Sequence, residues 1–211
     1  MKKTAKRLLA FLLAVVIVCG TFAFGASAAE EKIVARVSVV CLVRTPGHMW
    51  IYVENLTNKS MKVGAYTLPK NGGVSIGTFG PTRYDGYGIY YNVESYCYTE
   101  YGMSGYKSLT EDLTAAELKT LSDGILSYRN SWGPFRNCVA FASQMWNLNS
   151  EKKLSNLIFP AFANLQMTFK GAITDNPMHK AVTAAKVYRQ YGTGADAYLE
   201  RVSDRSLGDL S

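Results

Sequence analysis

From residue 30 onward the hydrophobic pattern is strand-like, and past residue 110 it becomes helical. Residues 33–43 carry Ile33, Val34, Val37, Val39, Val40 and Val43. A run so rich in β-branched residues predicts a buried strand. Thr45-Pro46-Gly47 reads as a turn. Residues 48–55 then alternate: His48, Trp50, Tyr52 and Glu54 share one face, and Met49, Ile51 and Val53 the other. Further strands are predicted over 61–68, 74–79 and 89–93, divided by a polar turn at 56–60 and by Pro69-Lys70-Asn71-Gly72-Gly73. Turns this short imply an antiparallel meander.

Beyond Thr110 the period lengthens. Thr114-Ala115-Ala116-Glu117 is a capping box ahead of Leu118, Leu121, Ile125 and Leu126, so a helix is expected from about 115 to 129. Cys138, Phe141, Ala142, Met145 and Trp146 follow the i, i+3, i+4, i+7, i+8 spacing of one helix face, with Pro134 and Asn137 as start signals. Residues 154–168 form an apolar stretch broken at Pro160. A third helix is expected over 176–191, opened by Asn176-Pro177 and closed by Gly192. The fold class that follows is α+β: an antiparallel sheet meander packed against helices.

The first 29 residues read as a signal peptide. Lys2, Lys3, Lys6 and Arg7 precede an apolar run, and Ala26-Ser27-Ala28 supplies small residues for cleavage. The run is short for a bilayer span, so no stable membrane insertion is expected once it is removed. Residues 30–211 then form a single exported domain, secreted or cell-wall associated. Losing those four charges takes the formal charge from +7 to +3. That is too little to mark a nucleic-acid surface. Cys41, Cys97 and Cys138 remain. Either Cys41 pairs with Cys97 or all three are reduced. With two histidines and no closely spaced cysteine pair, no metal and no other cofactor is expected.

Candidate chemistry centres on Cys138. At the first turn of a helix, N–H groups and the dipole favour a thiolate. A nucleophilic thiol also needs a base. His48 opens a strand after a turn, where a sheet can present a side chain at a cleft. His179 lies in a stretch with surface character. His48 is therefore the expected partner. Tyrosines 84, 87, 90, 91, 96, 98, 101 and 106 crowd one segment. They read either as half-buried packing or as an aromatic rim, with Trp50, Tyr90, Tyr91 and Asn137 as candidate substrate contacts.

Gly47-His48 with Ile51-Tyr52, then Asn137-Cys138 with Phe141, resembles the permuted branch of the NlpC-like, papain-like superfamily. That branch includes YiiX-like and lecithin retinol acyltransferase-like proteins, and in it the histidine strand precedes the cysteine helix. The resemblance covers roughly residues 33–150, leaving 151–211 as a helical extension. It implies a permuted papain-like fold, with Cys138 as nucleophile, its backbone N–H as an oxyanion donor, and His48 as general base and acid. The family places a third polar residue on the strand after the histidine strand. Here that stretch has no His, Asn, Gln or Asp, and offers Tyr66 or Thr67 instead.

The expected function is a cysteine hydrolase cleaving amide bonds by way of an acyl-enzyme, with peptidoglycan peptides as substrate. Lipid acyl hydrolysis or transfer is the alternative chemistry, although no amphipathic membrane helix is predicted. A non-catalytic module binding wall sugar or peptide through the tyrosines is the rival reading. A redox role for Cys41 and Cys97 is a third.

Overall fold

In a computed structural model the chain divides into two units, residues 1–32 and 33–211. The structure describes residues 31–43, 47–80, 86–129, 131–156, 159–203 and 206–207. The segment expected to be a signal peptide, residues 1–29, and most of the turn expected before His48 lie outside the described residues.

The second unit is built on one seven-stranded antiparallel sheet. Its strands are β1 (Ile33–Leu42), β2 (His48–Asn55), β5 (Gly73–Phe79), β6 (Gly88–Tyr91), β7 (Tyr106–Thr114), β8 (Tyr188–Tyr191) and β9 (Tyr198–Arg201), in the spatial order β7-β1-β2-β5-β6-β8-β9. A separate hairpin joins β3 (Met61–Val63) to β4 (Tyr66–Leu68). The helices are α1 (Val93–Tyr101), α2 (Ala115–Ser127), α3 (Cys138–Asn147) and α4 (Pro160–Phe169).

Strand alternation assigns the two faces of the sheet. Val37, Val39, Met49, Ile51, Val53 and Ile76 enter one core cluster with Leu121 and Ile125 of α2, Phe141 and Trp146 of α3, and Ala163 and Met167 of α4. Most are fully buried, and each large side chain contributes about 1.5–3 kcal/mol from burial. The opposite face carries Val40, Trp50, Tyr52 and Tyr90. It is covered by α1, through Val93 and Cys97, and by Met178, Val187 and Val202. Both sheet faces are therefore buried, which accounts for the near-continuous apolar runs in β1 and β2.

Several expectations need correction. Residues 61–68 are a hairpin, because Gly64 takes a positive φ of 57° and its N–H donates to Ser122 Oγ at 2.8 Å. A Cβ at that position would strike Tyr91 and Ile125, so only glycine lets the turn press against the core. Residues 106–114 are a strand, where helical character was expected from Thr110; they pair with β1 from Ile33 to Leu42. The helix expected over 176–191 is absent. Asn176 Oδ1 accepts from the Met178 N–H at 3.0 Å, a local turn that competes with helix initiation. A 3₁₀ turn at Ala184–Lys186 follows, and β8 then joins β6. The described part of 151–211 thus holds α4, short 3₁₀ turns, and the two strands β8 and β9 that complete the main sheet.

α4 departs from its surroundings in another way. Ala163 and Met167 face the core, while Phe162, Leu165 and Phe169 are exposed. The helix is apolar on two opposite sides.

Candidate active site

Asn137 starts α3. Its backbone is extended (φ −120°, ψ −170°) and its Oδ1 accepts from the Ala140 N–H at 3.0 Å. Its Nδ2 donates to the Pro134 carbonyl at 3.1 Å. Both ends of the amide take part in shaping the turn and the cap. The cap places Cys138 at the first helical position, 7% exposed, against the sheet face carrying Met49 and Ile51.

His48 is the first residue of β2, following Gly47 at φ 73°. Its ring packs on Trp50 (5.4 Å between centroids, 22° between planes) and on Phe79 (4.5 Å, 32°). These contacts fix the imidazole at the rim of the sheet. Its Nε2 lies 2.9 Å from Glu94 Oε1. The Cys138 side chain is close enough to influence its titration.

Glu94 was not anticipated. It sits in the first turn of α1, with its side chain 4% exposed. α1 is pinned to β5 by Ser75, whose carbonyl accepts from the Asn92 N–H at 2.8 Å and whose Oγ accepts from the Ser95 N–H at 3.1 Å. Gly77 of β5 leaves room beneath the carboxylate. A Cβ there would collide with Glu94 Oε1 and lie 3.2 Å from Trp50 Cβ. The thiol therefore reaches the imidazole from one layer, and the carboxylate from the layer on the opposite face of the sheet.

The electrostatics of the pair are consistent with this geometry. Burial would raise the Cys138 thiol, but the His48 charge and hydrogen bond, with the Met49 and Val139 backbone N–H groups, bring it below the ordinary thiol range. Burial would lower His48. The Cys138 thiolate and its hydrogen bond, then Glu94, outweigh that and raise the imidazole to about 10. Both shifts favour the thiolate–imidazolium form of the pair over the neutral one. Cys41 is the contrast: burial and the nearby Cys138 charge push it up to about 12.

The remaining candidates fall elsewhere. Tyr66 stacks on Tyr91 at 5.9 Å and tilts against Tyr188 at 6.0 Å; the position orienting His48 belongs to Glu94. Thr67 is exposed on the side hairpin. Tyr90 and Tyr91 are fully buried, with hydroxyls donating to Gly86 O and Gln190 Oε1, so neither forms a substrate rim. Trp50, 2% exposed, supports the imidazole from within the core. His179 Nε2 pairs with Glu54 Oε1 at 2.7 Å, away from the thiol. No disulfide joins Cys41 to Cys97, which belong to core clusters on opposite faces of the sheet. Among the described residues no group of side chains could hold a metal ion.

Among the open clefts of the surface are three of about 630, 500 and 580 Å³, none of them lined by Cys138 or His48. The first runs past Tyr128, Arg136 and Met145. Tyr128 packs edge-on against Phe141 at 5.0 Å. Burial raises its phenol, with Arg136 opposing and the Cys138 charge adding.

The fold and the site together define an α+β protein with a buried Cys–His–Glu constellation at a helix start and a strand end. No protein-family model, no curated protein and no solved structure matches the chain.

Glu94 had a faint sequence signal. It is the one charged residue between Gly86 and Thr99, two residues after an asparagine. A strand expected over 89–93 overlaps the start of the helix at Val93 and hid it.

Proposed function

We propose that the protein is an exported cysteine hydrolase of permuted papain-like architecture. Its nucleophile is Cys138, its general base and acid is His48, and Glu94 positions and charges the imidazole. The observation carrying this reading is the convergence of sulfur, imidazole and carboxylate from three separate elements, with the shifts of Cys138 and His48 both favouring the charged pair.

The reaction proceeds by acyl transfer. Cys138 Sγ attacks the carbonyl carbon; the C–S bond forms as the carbonyl π pair moves to oxygen. The Cys138 backbone N–H, among the helix-start donors without an intrahelical acceptor, holds that oxyanion. Collapse expels the amine, which takes its proton from the His48 imidazolium, leaving a thioester. Water then attacks the thioester while neutral His48 accepts its proton, and the second collapse releases the acid and restores the thiolate. The substrate class, an amide bond in a cell-wall peptide, follows from the expected export signal and the family resemblance.

The binding-module reading is less favoured, because Glu94 lies at the orienting position beside His48 and Tyr90 and Tyr91 lie inside the core, while Tyr87 and Tyr101 of the same segment are exposed. Lipid-ester chemistry at the same thiol keeps one support, the exposed apolar side of α4, whose first residue accepts a contact from Cys41 (Sγ to Pro160 O, 3.6 Å).

The test is hydrolysis of isolated peptidoglycan peptides by residues 30–211, comparing wild type with Cys138→Ala and His48→Ala. Loss of turnover in both variants, with a thioester trapped on Cys138 in the wild type, is the expected result. Equal turnover by all three eliminates the mechanism.

A further inference from the structure

α4 presents apolar side chains to solvent in a regular array. Phe162, Leu165 and Phe169 recur at i, i+3 and i+7 and are 56%, 53% and 82% exposed. Phe159, at the helix cap, is 58% exposed and packs on Phe162 at 6.2 Å between ring centroids. Ile173, just beyond the helix, is 58% exposed. The core does not need these residues, because Ala163 and Met167 already anchor the opposite side of the helix. Five large apolar side chains in fifteen residues exceed the scattered exposure ordinary for a soluble surface.

Residues 152–174 contain Lys152, Lys153 and Lys170 and no Asp or Glu, with Glu151 and Asp175 closing the stretch at its two ends. Lys107 adds a fourth ammonium over the helix, donating to Thr168 Oγ1 at 2.7 Å. A helix whose apolar side is flanked by lysines lies in the boundary layer of an anionic bilayer: rings enter the acyl region and ammonium groups meet the headgroups. A second copy of the chain fits less well, since a self-complementary contact would bring the same lysines against one another.

We propose that the exposed face of α4 is a docking surface for an anionic lipid membrane, held by Phe162, Leu165 and Phe169 and steered by the surrounding lysines. The attachment is peripheral; among the described residues no helix is long and apolar enough to cross a bilayer. It rests on surface chemistry alone and stands whether or not Cys138 is a nucleophile.

The experiment is co-sedimentation of residues 30–211 with vesicles of phosphatidylglycerol and phosphatidylcholine, against vesicles of phosphatidylcholine alone. Residues 1–29 are left out because that apolar segment would bind lipid by itself, and the compact unit 33–211 holds the seven-stranded sheet and helices α1 to α4. The expected result is binding to anionic vesicles, weaker by about tenfold or more on neutral ones and reduced by salt. Phe162→Ser with Phe169→Ser should abolish it at an unchanged circular dichroism spectrum. Lys152→Glu with Lys170→Glu should weaken it about tenfold or more while leaving the apolar side chains in place. Absence of wild-type binding overturns the proposal. So does binding indifferent to both double variants, or a dimer, dissolved by the phenylalanine variant, that ignores vesicles.

Discussion

Replacing Glu94 with Gln tests the positioning carboxylate without removing its volume. The Glu94 side chain lies 2.9 Å from His48 Nε2 and is 4% exposed, so solvent screens the contact little. Glutamine keeps an oxygen acceptor there but no charge. A hydrogen bond to a charged group contributes about 1.5–3 kcal/mol, against roughly 0.5–1.5 for a neutral one. The difference, about 1–2 kcal/mol, corresponds to about one pH unit in the imidazolium titration. The sign follows from the shift: Glu94 helps raise His48, so its loss lowers the pH at which the imidazolium is lost. The thiolate is formed at the depressed Cys138 value while His48 is still charged, so the acid limb stays largely in place. Iodoacetate reads both limbs without any substrate. It requires the thiolate, and its own negative charge makes it react faster beside an imidazolium. The rate of Cys138 modification against pH, followed by peptide mass spectrometry, should be bell-shaped. The alkaline limb should fall by about one unit in the variant. Cys41, pushed up to about 12, should contribute no competing signal. A variant with wild-type limbs at both ends would refute the role assigned to Glu94.

Two further substitutions probe the scaffold. Gly77→Ala puts a methyl group against Glu94 Oε1 and Trp50, so it should reproduce the alkaline shift of Glu94→Gln with every charge retained; an unchanged profile would contradict the packing argument. Asn137→Ala removes the cap at the Cys138 helix start and should cost about 1 kcal/mol, read as a fall of about 2–4 °C in Tm. It should also slow Cys138 alkylation at mildly acidic pH, and a variant equal to wild type in both measurements would count against the cap.

Local signals carried much of the architecture into the sequence. β2 begins at His48 and ends at Asn55 as its alternation implied, because both faces of that strand are packed and its register is tightly specified. The Thr114–Glu117 capping box and the Asn137 cap start α2 and α3 at their expected positions, since each is closed by contacts within four residues. What could not be read depends on distant partners. Residues 106–114 become a strand because the free edge of β1 accepts them, and 188–191 because β6 does. The same division runs through the site. Cys138 and His48 each carry a local signature. Glu94 gains its role only when α1 folds over β5 and lowers the carboxylate onto the imidazole from behind the sheet.

That placement ties reactivity to the integrity of the whole sandwich. Melting α1, or cutting the chain between β6 and β7, would leave the sulfur seated on its own helix with its amide neighbours unchanged. The imidazole would nonetheless lose its counterion, and the thiol would drift back toward an ordinary, sluggish cysteine. Damage to one side of the molecule would thus be felt as silence on the other.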